Sequence, residues 1–589
     1  MSQPAADPLG AAFEHHRAGN IALAEQLYRQ ILSQDPQRAE AWNLLGVVCL
    51  QSGRNAEAAQ LIERAIAIRG DNPEFYNHLG AAYSGLGRHD QAVATVRRAV
   101  QLAPQSASAH YNLGTALRNQ GRLEEAIVSY RHALAADPNS AEAHYNLANT
   151  LRDVKRLGEA EASYREALRA RPGYFKAMIN LGNVLHFQGK LTDAIDMIGA
   201  AIAINPNHAN GHLNLGIALR DSGRHQPAVE SLRRAVALDP QLPEAHANLG
   251  TVLQAQARFA EALACYEEAL RLNPQLPDAH FSRATHRLRQ GELEGGFAEY
   301  EWRWKCTCFS MRQFAEPRWD GSPLEGRAIL LHAEQGLGDT LQFIRYVAAV
   351  KDRGGTVAVE CQPPLMKMLA NCRGVDSLVA AGAALPKFDV QCPLLSLPGV
   401  LKRSIDDLWS GPYLSADEQL VERWRATLEG LEGLRVGICW QGNPRHLFDA
   451  QRSFRLARFE GVARTPGVRL ISLQKGPGAE QIAASRFEVV DLGPQLDEAD
   501  GALMDTAAVM KHLHLVITSD TSLAHLAGAL GVRVWVALSA HCDWRWFLDR
   551  DDSPWYPTMR LFRQRQLDDW NDVFERIAAE LAVLAARRV

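Results

Sequence analysis

A chain of 589 residues is long enough for several domains, and its 47 % hydrophobic and 22 % charged content is that of ordinary globular protein. With 63 Lys plus Arg against 67 Asp plus Glu, the net charge is −4, which argues against a nucleic-acid partner but leaves room for a local basic pocket. No apolar run reaches the roughly 18 residues of a membrane helix. The N-terminus lacks the basic and apolar regions of a signal peptide, and nine scattered cysteines fit a reducing cytoplasm, the expected location. Cys306 and Cys308 are the one close pair; with no second pair nearby, no zinc site is expected.

The first half repeats itself. A small residue recurs every 34 positions, at Ala12, Gly46, Gly80, Gly114, Ala148, Gly182, Gly216, Gly250 and Ala284, and another follows twelve residues after each, from Ala24 to Gly296. Small residues let two helices approach closely. A glycine such as Gly19, Gly53 or Gly189 turns the chain between them, and a proline such as Pro36, Pro104 or Pro274 ends the second helix. Period and residues match the tetratricopeptide repeat. Nine units are expected over residues 1–308, an α-solenoid with a long concave face.

Asn112, Asn146, Asn180, Asn214 and Asn248 stand in five consecutive units, two residues before the small residue. An asparagine amide both donates to and accepts from a peptide backbone, so such a ladder could hold an extended polypeptide. It resembles the asparagine ladder of the protein O-GlcNAc transferases. The alternative is local polar capping within the repeats. His110, His144, His212, His246 and His280 also recur; equivalent residues in stacked repeats lie roughly 10 Å apart, too far to share a metal ion, so helix packing is expected instead.

Phe297, Tyr300, Trp302 and Trp304 then present an aromatic face expected to pack on the next domain, and residues 309–325 read as a connector. From residue 326 short apolar strands alternate with helices, which argues for parallel sheets with helices on both faces. Strands are expected at 328–333, 356–360, 435–440, 468–473, 488–491, 513–518 and 533–538. A Gly/Pro-rich break at 386–412 divides a first lobe, 326–412, from a second, 413–589. Both are Rossmann-like, and two such lobes facing across a cleft make an α/β GT-B architecture.

Two strand-end turns carry the chemistry: Gly336-Leu337-Gly338-Asp339 and Asp520-Thr521-Ser522-Leu523-Ala524-His525. In this order they resemble the turns of the lipopolysaccharide heptosyltransferase family. The resemblance covers residues 326–589, and the repeat-then-transferase order also resembles protein O-GlcNAc transferase. It implies a nucleotide-sugar donor, inversion, Asp339 as the general base, and His525 at the donor phosphates. From the residues themselves, Thr521 and Ser522 open a helix whose N–H groups suit a diphosphate, Asp520 caps that helix or holds a sugar hydroxyl, and Gly336 and Gly338 let backbone approach a ligand. Arg452, Gln474 and Lys475 follow neighbouring strands, where cations could balance a leaving diphosphate without metal. His332 and Glu334 are alternative bases. Asp543-Trp544-Arg545-Trp546 and Trp555-Tyr556-Pro557, after the last expected strand, either wall the sugar or base pocket or pack the closing helix, with packing the leading expectation. Asp549-Arg550-Asp551 has metal-motif spacing in the wrong place for one, so no metal or other cofactor is expected. The leading expectation is a metal-independent glycosyltransferase acting on a polypeptide recruited by the repeats. The alternatives are an interaction scaffold with an inactive transferase fold, a nucleotide-sugar sensor, and an enzyme acting on a glycan.

Overall fold

The computed structural model describes residues 7–307, 309, 311–407, 411–445, 449–493, 495–498 and 501–587. Cys308, named above, lies outside them. The chain divides into two compact units, Met1–Pro240 and Gln241–Val589.

The first unit holds seven antiparallel helix pairs, from Pro8–Arg17 with Ile21–Gln34 to Ala209–Asp221 with His225–Leu238. The 34-residue glycines sit where the two helices of a pair cross. A Cβ on Gly182 would lie 2.3 Å from Ile198 Cγ1, and one on Gly80 would lie 2.2 Å from Val96 Cγ2. The turn between helices needs a left-handed residue, which glycine supplies without steric penalty at Gly53 (φ 73°) and Gly189 (φ 75°). Where the sequence lacks the glycine, Lys155 (φ 64°) takes the same conformation, and in the second unit so does Ala257 (φ 58°).

The recurring histidines have a polar reason as well as a packing one. His110, His144, His212 and His280 each hydrogen-bond through Nε2 to the carbonyl of the proline six residues earlier, at 2.9–3.0 Å. Trp42 Nε1 does the same to Pro36, and the Tyr76 hydroxyl to Gly70. The position selects a ring that carries a donor.

The second unit opens with two more helix pairs, Pro243–Ala255 with Phe259–Leu272 and Pro277–Gln290 with Leu293–Tyr300. Two parallel sheets follow. The first has strands β1 (Ala328–His332), β2 (Thr356–Cys361), β3 (Ser377–Ala380) and β4 (Val390–Pro393) in the order β3-β2-β1-β4. The second has β5 (Leu434–Cys439), β6 (Val468–Ser472), β7 (Val490–Asp491), β8 (Leu515–Ser519), β9 (Val534–Leu538) and β10 (Met559–Arg563) in the order β10-β9-β8-β5-β6-β7.

Three of these strands depart from the expectation. β3 had no expected counterpart. β4 lies inside the Gly/Pro-rich break, pairs with β1 and is bridged on its other side by Arg318 at Gln391; Pro393, at the strand's end, is tolerated there. β10 lies beyond the strand expected to be last, so the 543–557 aromatics and Asp549-Arg550-Asp551 precede a strand rather than follow the sheet. In both sheets the order reverses direction beside a central strand, between β1 and β4 and between β5 and β8. Open parallel sheets bind ligands at such points, beyond the carboxyl ends of the strands.

The aromatic face at the junction packs inside this unit. Phe297 and Tyr300 are buried, with ring centroids 5.6 and 6.0 Å from Trp544. Arg303, fully buried, pairs with Glu334 just beyond β1 (3.0 Å) and with Glu301 (2.9 Å).

These contacts set opposite outcomes for two substitutions in the first unit. Gly182→Ala forces a methyl into Ile198 and is expected to cost about 1–3 kcal/mol. Lys155→Gly relieves a left-handed non-glycine residue and is expected to stabilise by about 1 kcal/mol. Denaturant melts followed by circular dichroism check both.

Candidate functional site

The β1 turn and the β8 turn meet. A Cβ on Gly338 would lie 2.9 Å from His525 Cδ2 and 3.5 Å from Ser522 Cα. Gly338 thus lets the chain approach His525, a correction to the expectation that it makes room for a ligand. Gly336 has an ordinary extended conformation (φ −70°, ψ 170°), so it too carries no special backbone demand. Its N–H donates to Asp339 Oδ2 at 2.7 Å.

The other oxygen of Asp339 accepts from Arg545 Nη2. Arg545 Nη1 donates to Asp543 Oδ1 at 2.8 Å, and the Arg545 N–H to the same oxygen at 3.0 Å. One buried guanidinium therefore joins the first turn to the 542–548 loop that follows β9. That loop is bent hard: Phe547, a bulky residue, sits at φ 56° and ψ −178°, a conformation that costs about 1–3 kcal/mol and tends to mark functional sites. The sequence reading took Trp544 and Trp546 as packing, which both buried rings fulfil. Arg545, between them, has a role that the packing expectation did not include.

His525 is buried. Nδ1 shares a hydrogen bond with the Tyr556 hydroxyl at 3.1 Å, and the ring stacks on Trp546 at 5.1 Å. Burial, then the Arg545 and Arg345 charges, push its pKa down to about 3, so it is neutral at physiological pH. Arg345 holds the same wall together by donating to the Trp555 carbonyl at 2.9 Å and the Tyr413 hydroxyl at 2.8 Å.

The helix after β8 runs Ser522–Ala529, and its N-cap is Thr521, whose side chain makes no capping bond. Asp520 is therefore not the cap, a second correction. It stands half-buried at the end of β8, and burial first, then the Asp543 charge, raise its carboxyl to about 6. Arg452 and Arg545 act the other way on it, which places both cations near this carboxyl. Arg452 lies over Gly442, beyond β5, and contacts Asp449 at 3.4 Å. Thr521 shares a hydroxyl contact with Thr518 at 3.2 Å.

Two buried polar groups in this stretch have no protein partner, Ser519 Oγ and Arg545 Nε, while the Trp546 indole N–H is turned to the Asp520 carboxylate, whose pKa it lowers. Buried polar groups are rarely left so, and an unpaired guanidinium N–H suits an anionic or hydroxylated ligand.

Other expected site residues lie elsewhere in function. Gln474 is buried and fully used: Oε1 accepts from the N–H groups of Trp440 (3.1 Å) and Gln441 (3.0 Å), and Nε2 donates to the carbonyls of Gln441 and Pro477. It braces the loop after β5 and does not face a ligand. Lys475 is exposed and held by Glu498 at 2.8 Å and the Leu496 carbonyl. Of the alternative bases, Glu334 is raised to about 7 by burial but is locked to Arg303, and His332 is buried against Gln391. In the repeats, Asn146 and Asn180 donate to the Tyr111 (2.8 Å) and Tyr145 (3.2 Å) hydroxyls of the preceding units, and Asn248 donates to the Glu244 carbonyl of its own helix. Asn112 and Asn214 are half-buried.

The comparisons with known proteins bear on the repeats. Residues 1–146 match the C-terminal domain of cilia and flagella-associated protein 70, and tetratricopeptide repeat models match residues 151–215, 218–257 and 243–276. The N-terminal part of this chain carries tetratricopeptide repeats. They point to a protein-interaction role. Protein FlbA of Caulobacter vibrioides is 28 % identical over 332 residues, 52 % of this chain and 55 % of its own length, so the chain spans about half of that relative. Among solved structures, YrrB, described as a TPR protein with an unusual peptide-binding site, is 23 % identical, covering 31 % of this chain and 95 % of its own, with a TM-score of 0.29. PilF of Pseudomonas aeruginosa is 23 % identical over 36 % of this chain and 96 % of its own, with a TM-score of 0.33. Among the described residues, no helix is long and apolar enough to cross a membrane.

Asp520 supplies a pH test. Its folded pKa is raised, so the folded state binds its proton more tightly than the unfolded chain does, and stability falls as pH rises from about 4 to about 6. Asp520→Asn removes the buried charge. It is expected to stabilise the protein by about 1–3 kcal/mol at pH 8 and to be neutral below pH 4, as measured by melts across that range.

Proposed function

We propose that this chain is a nucleotide-sugar-dependent glycosyltransferase of the GT-B type, with its donor at the carboxyl ends of the strands beside the β1 and β8 turns and its repeats recruiting a polypeptide acceptor. The observation that carries the reading is the buried Arg545 guanidinium, which reaches Asp339 of the β1 turn and has an unpaired Nε, in a unit whose two parallel sheets each reverse strand order.

The reaction is a displacement with inversion. The acceptor hydroxyl oxygen bonds to the anomeric carbon as the bond from that carbon to the diphosphate oxygen breaks. The hydroxyl proton passes to Asp339, and the nucleoside diphosphate leaves with the bonding pair. Arg545 and Arg452 are the cations that offset the charge building on the leaving group. Neutral His525 donates to or accepts from the donor without adding charge.

A second reading is favoured by one contact. Asp339, the base, has one oxygen engaged by Arg545 and the other by Gly336, which suits a scaffold with an inactive transferase fold. Purified protein incubated with a panel of sugar nucleotides and followed by mass spectrometry separates the two. The transferase reading expects release of one nucleoside diphosphate, reduced a hundredfold or more in Asp339→Asn with donor binding retained. Release absent from both leaves the scaffold, and release that is equal in the variant takes the role of base away from Asp339.

A further inference from the structure

The 542–548 loop is fixed by its backbone. Arg289 Nη2 donates to the Cys542 carbonyl at 3.2 Å, and the Leu548 N–H to the Arg289 carbonyl at 3.0 Å. Arg563 Nη2 donates to the carbonyls of Trp546 and Phe547 at 3.1 and 2.9 Å. The Arg545 side chain is held differently, by carboxylates on two sides, with Asp543 on its own loop and Asp339 across on the β1 turn. Its Nε is unpaired. The guanidinium, 6 % exposed in residue terms, cannot be left without an anion, yet nothing requires that anion to be Asp339.

We propose that Arg545 is an exchange residue: a diphosphate entering the site takes its guanidinium from Asp339, and the freed carboxylate oxygen then faces the acceptor. The inference rests on the transferase reading and deepens it. A guanidinium fork matches phosphate oxygens in paired hydrogen bonds. Arg545 keeps an anionic partner throughout, and Asp339, which loses its cation but keeps the Gly336 N–H, becomes the stronger base for the acceptor's proton. Two consequences follow. Asp339 and the diphosphate compete for Arg545, and the donor binds before the acceptor because Asp339 is engaged until the donor arrives.

Inorganic pyrophosphate titrated calorimetrically into the full-length protein, with EDTA present, tests the competition. The wild type is expected to bind. Arg545→Gln should weaken binding at least tenfold. Asp339→Asn should tighten it about tenfold by releasing Arg545, and this gain should vanish in the Arg545→Gln background. A gain that persists without Arg545 reflects simple loss of negative charge and overturns the exchange, as does an Asp339→Asn variant that binds no better than wild type, or an Arg545→Gln variant that binds as well. If Arg545→Gln fails to fold, Arg545→Lys takes its place: it keeps the charge but loses the fork, and it should weaken binding severalfold and shrink the Asp339→Asn gain. Lysine binding as well as arginine, with the gain undiminished, overturns the role of the fork. A wild type that binds no pyrophosphate overturns the phosphate site of the transferase reading itself.

Discussion

A charged guanidinium buried between two carboxylates is the constraint on which this site depends. Arg545 could not stay buried without Asp339 and Asp543, because an unpaired ion in the interior is far more costly than a paired one. Pairing with Asp339 draws the β1 turn against the 542–548 loop. That approach is possible only because Gly338 has no side chain to strike His525. His525 in turn can lie beside two arginines only as a neutral ring, the state that burial enforces. Charge, packing and protonation thus specify one arrangement at the carboxyl ends of both sheets.

The last repeat pair belongs to the same compact unit as the sheets. Arg289, from the Pro277–Gln290 helix, holds the Cys542 carbonyl, Tyr300 packs on Trp544, and Arg303 pairs with Glu334 at the end of β1. The 542–548 loop and the β1 turn are therefore built partly on repeat residues. The last repeat pair is therefore part of the unit that carries the site.

Much of this was legible in the sequence. The 34-residue spacing of Gly46, Gly80 and Gly182 located helix crossings, because a strict period with a small residue has one economical explanation. Gly338-Asp339 and Asp520–His525 located two strand ends, because aspartate and small residues between an apolar run and a helix signal a turn. What escaped was tertiary. Arg545 lies within an aromatic run whose bulk signals packing, and nothing local says that its partner stands 206 residues away. Gln474 and Lys475 follow a strand as a binding pair would, but one closes a backbone loop and the other pairs with Glu498. β4 and β10 are short edge strands, one ending in proline, whose pairing with β1 and β9 supplies order that their own residues do not encode. The histidine repeat was a packing position whose hydrogen bond to the proline carbonyl six residues earlier appears only in three dimensions.

The most direct test of the account is whether the folded protein takes a sugar nucleotide at all. A thermal-shift screen of the full-length protein against a panel of sugar nucleotides, without metal, measures this; a ligand at a hundredfold excess over Kd adds about 2.7 kcal/mol to the unit that binds it. The account predicts a raised melting transition for one nucleotide class. A well-folded protein whose transition moves for none of them contradicts it, and the C-terminal unit is then a scaffold for what the repeats assemble.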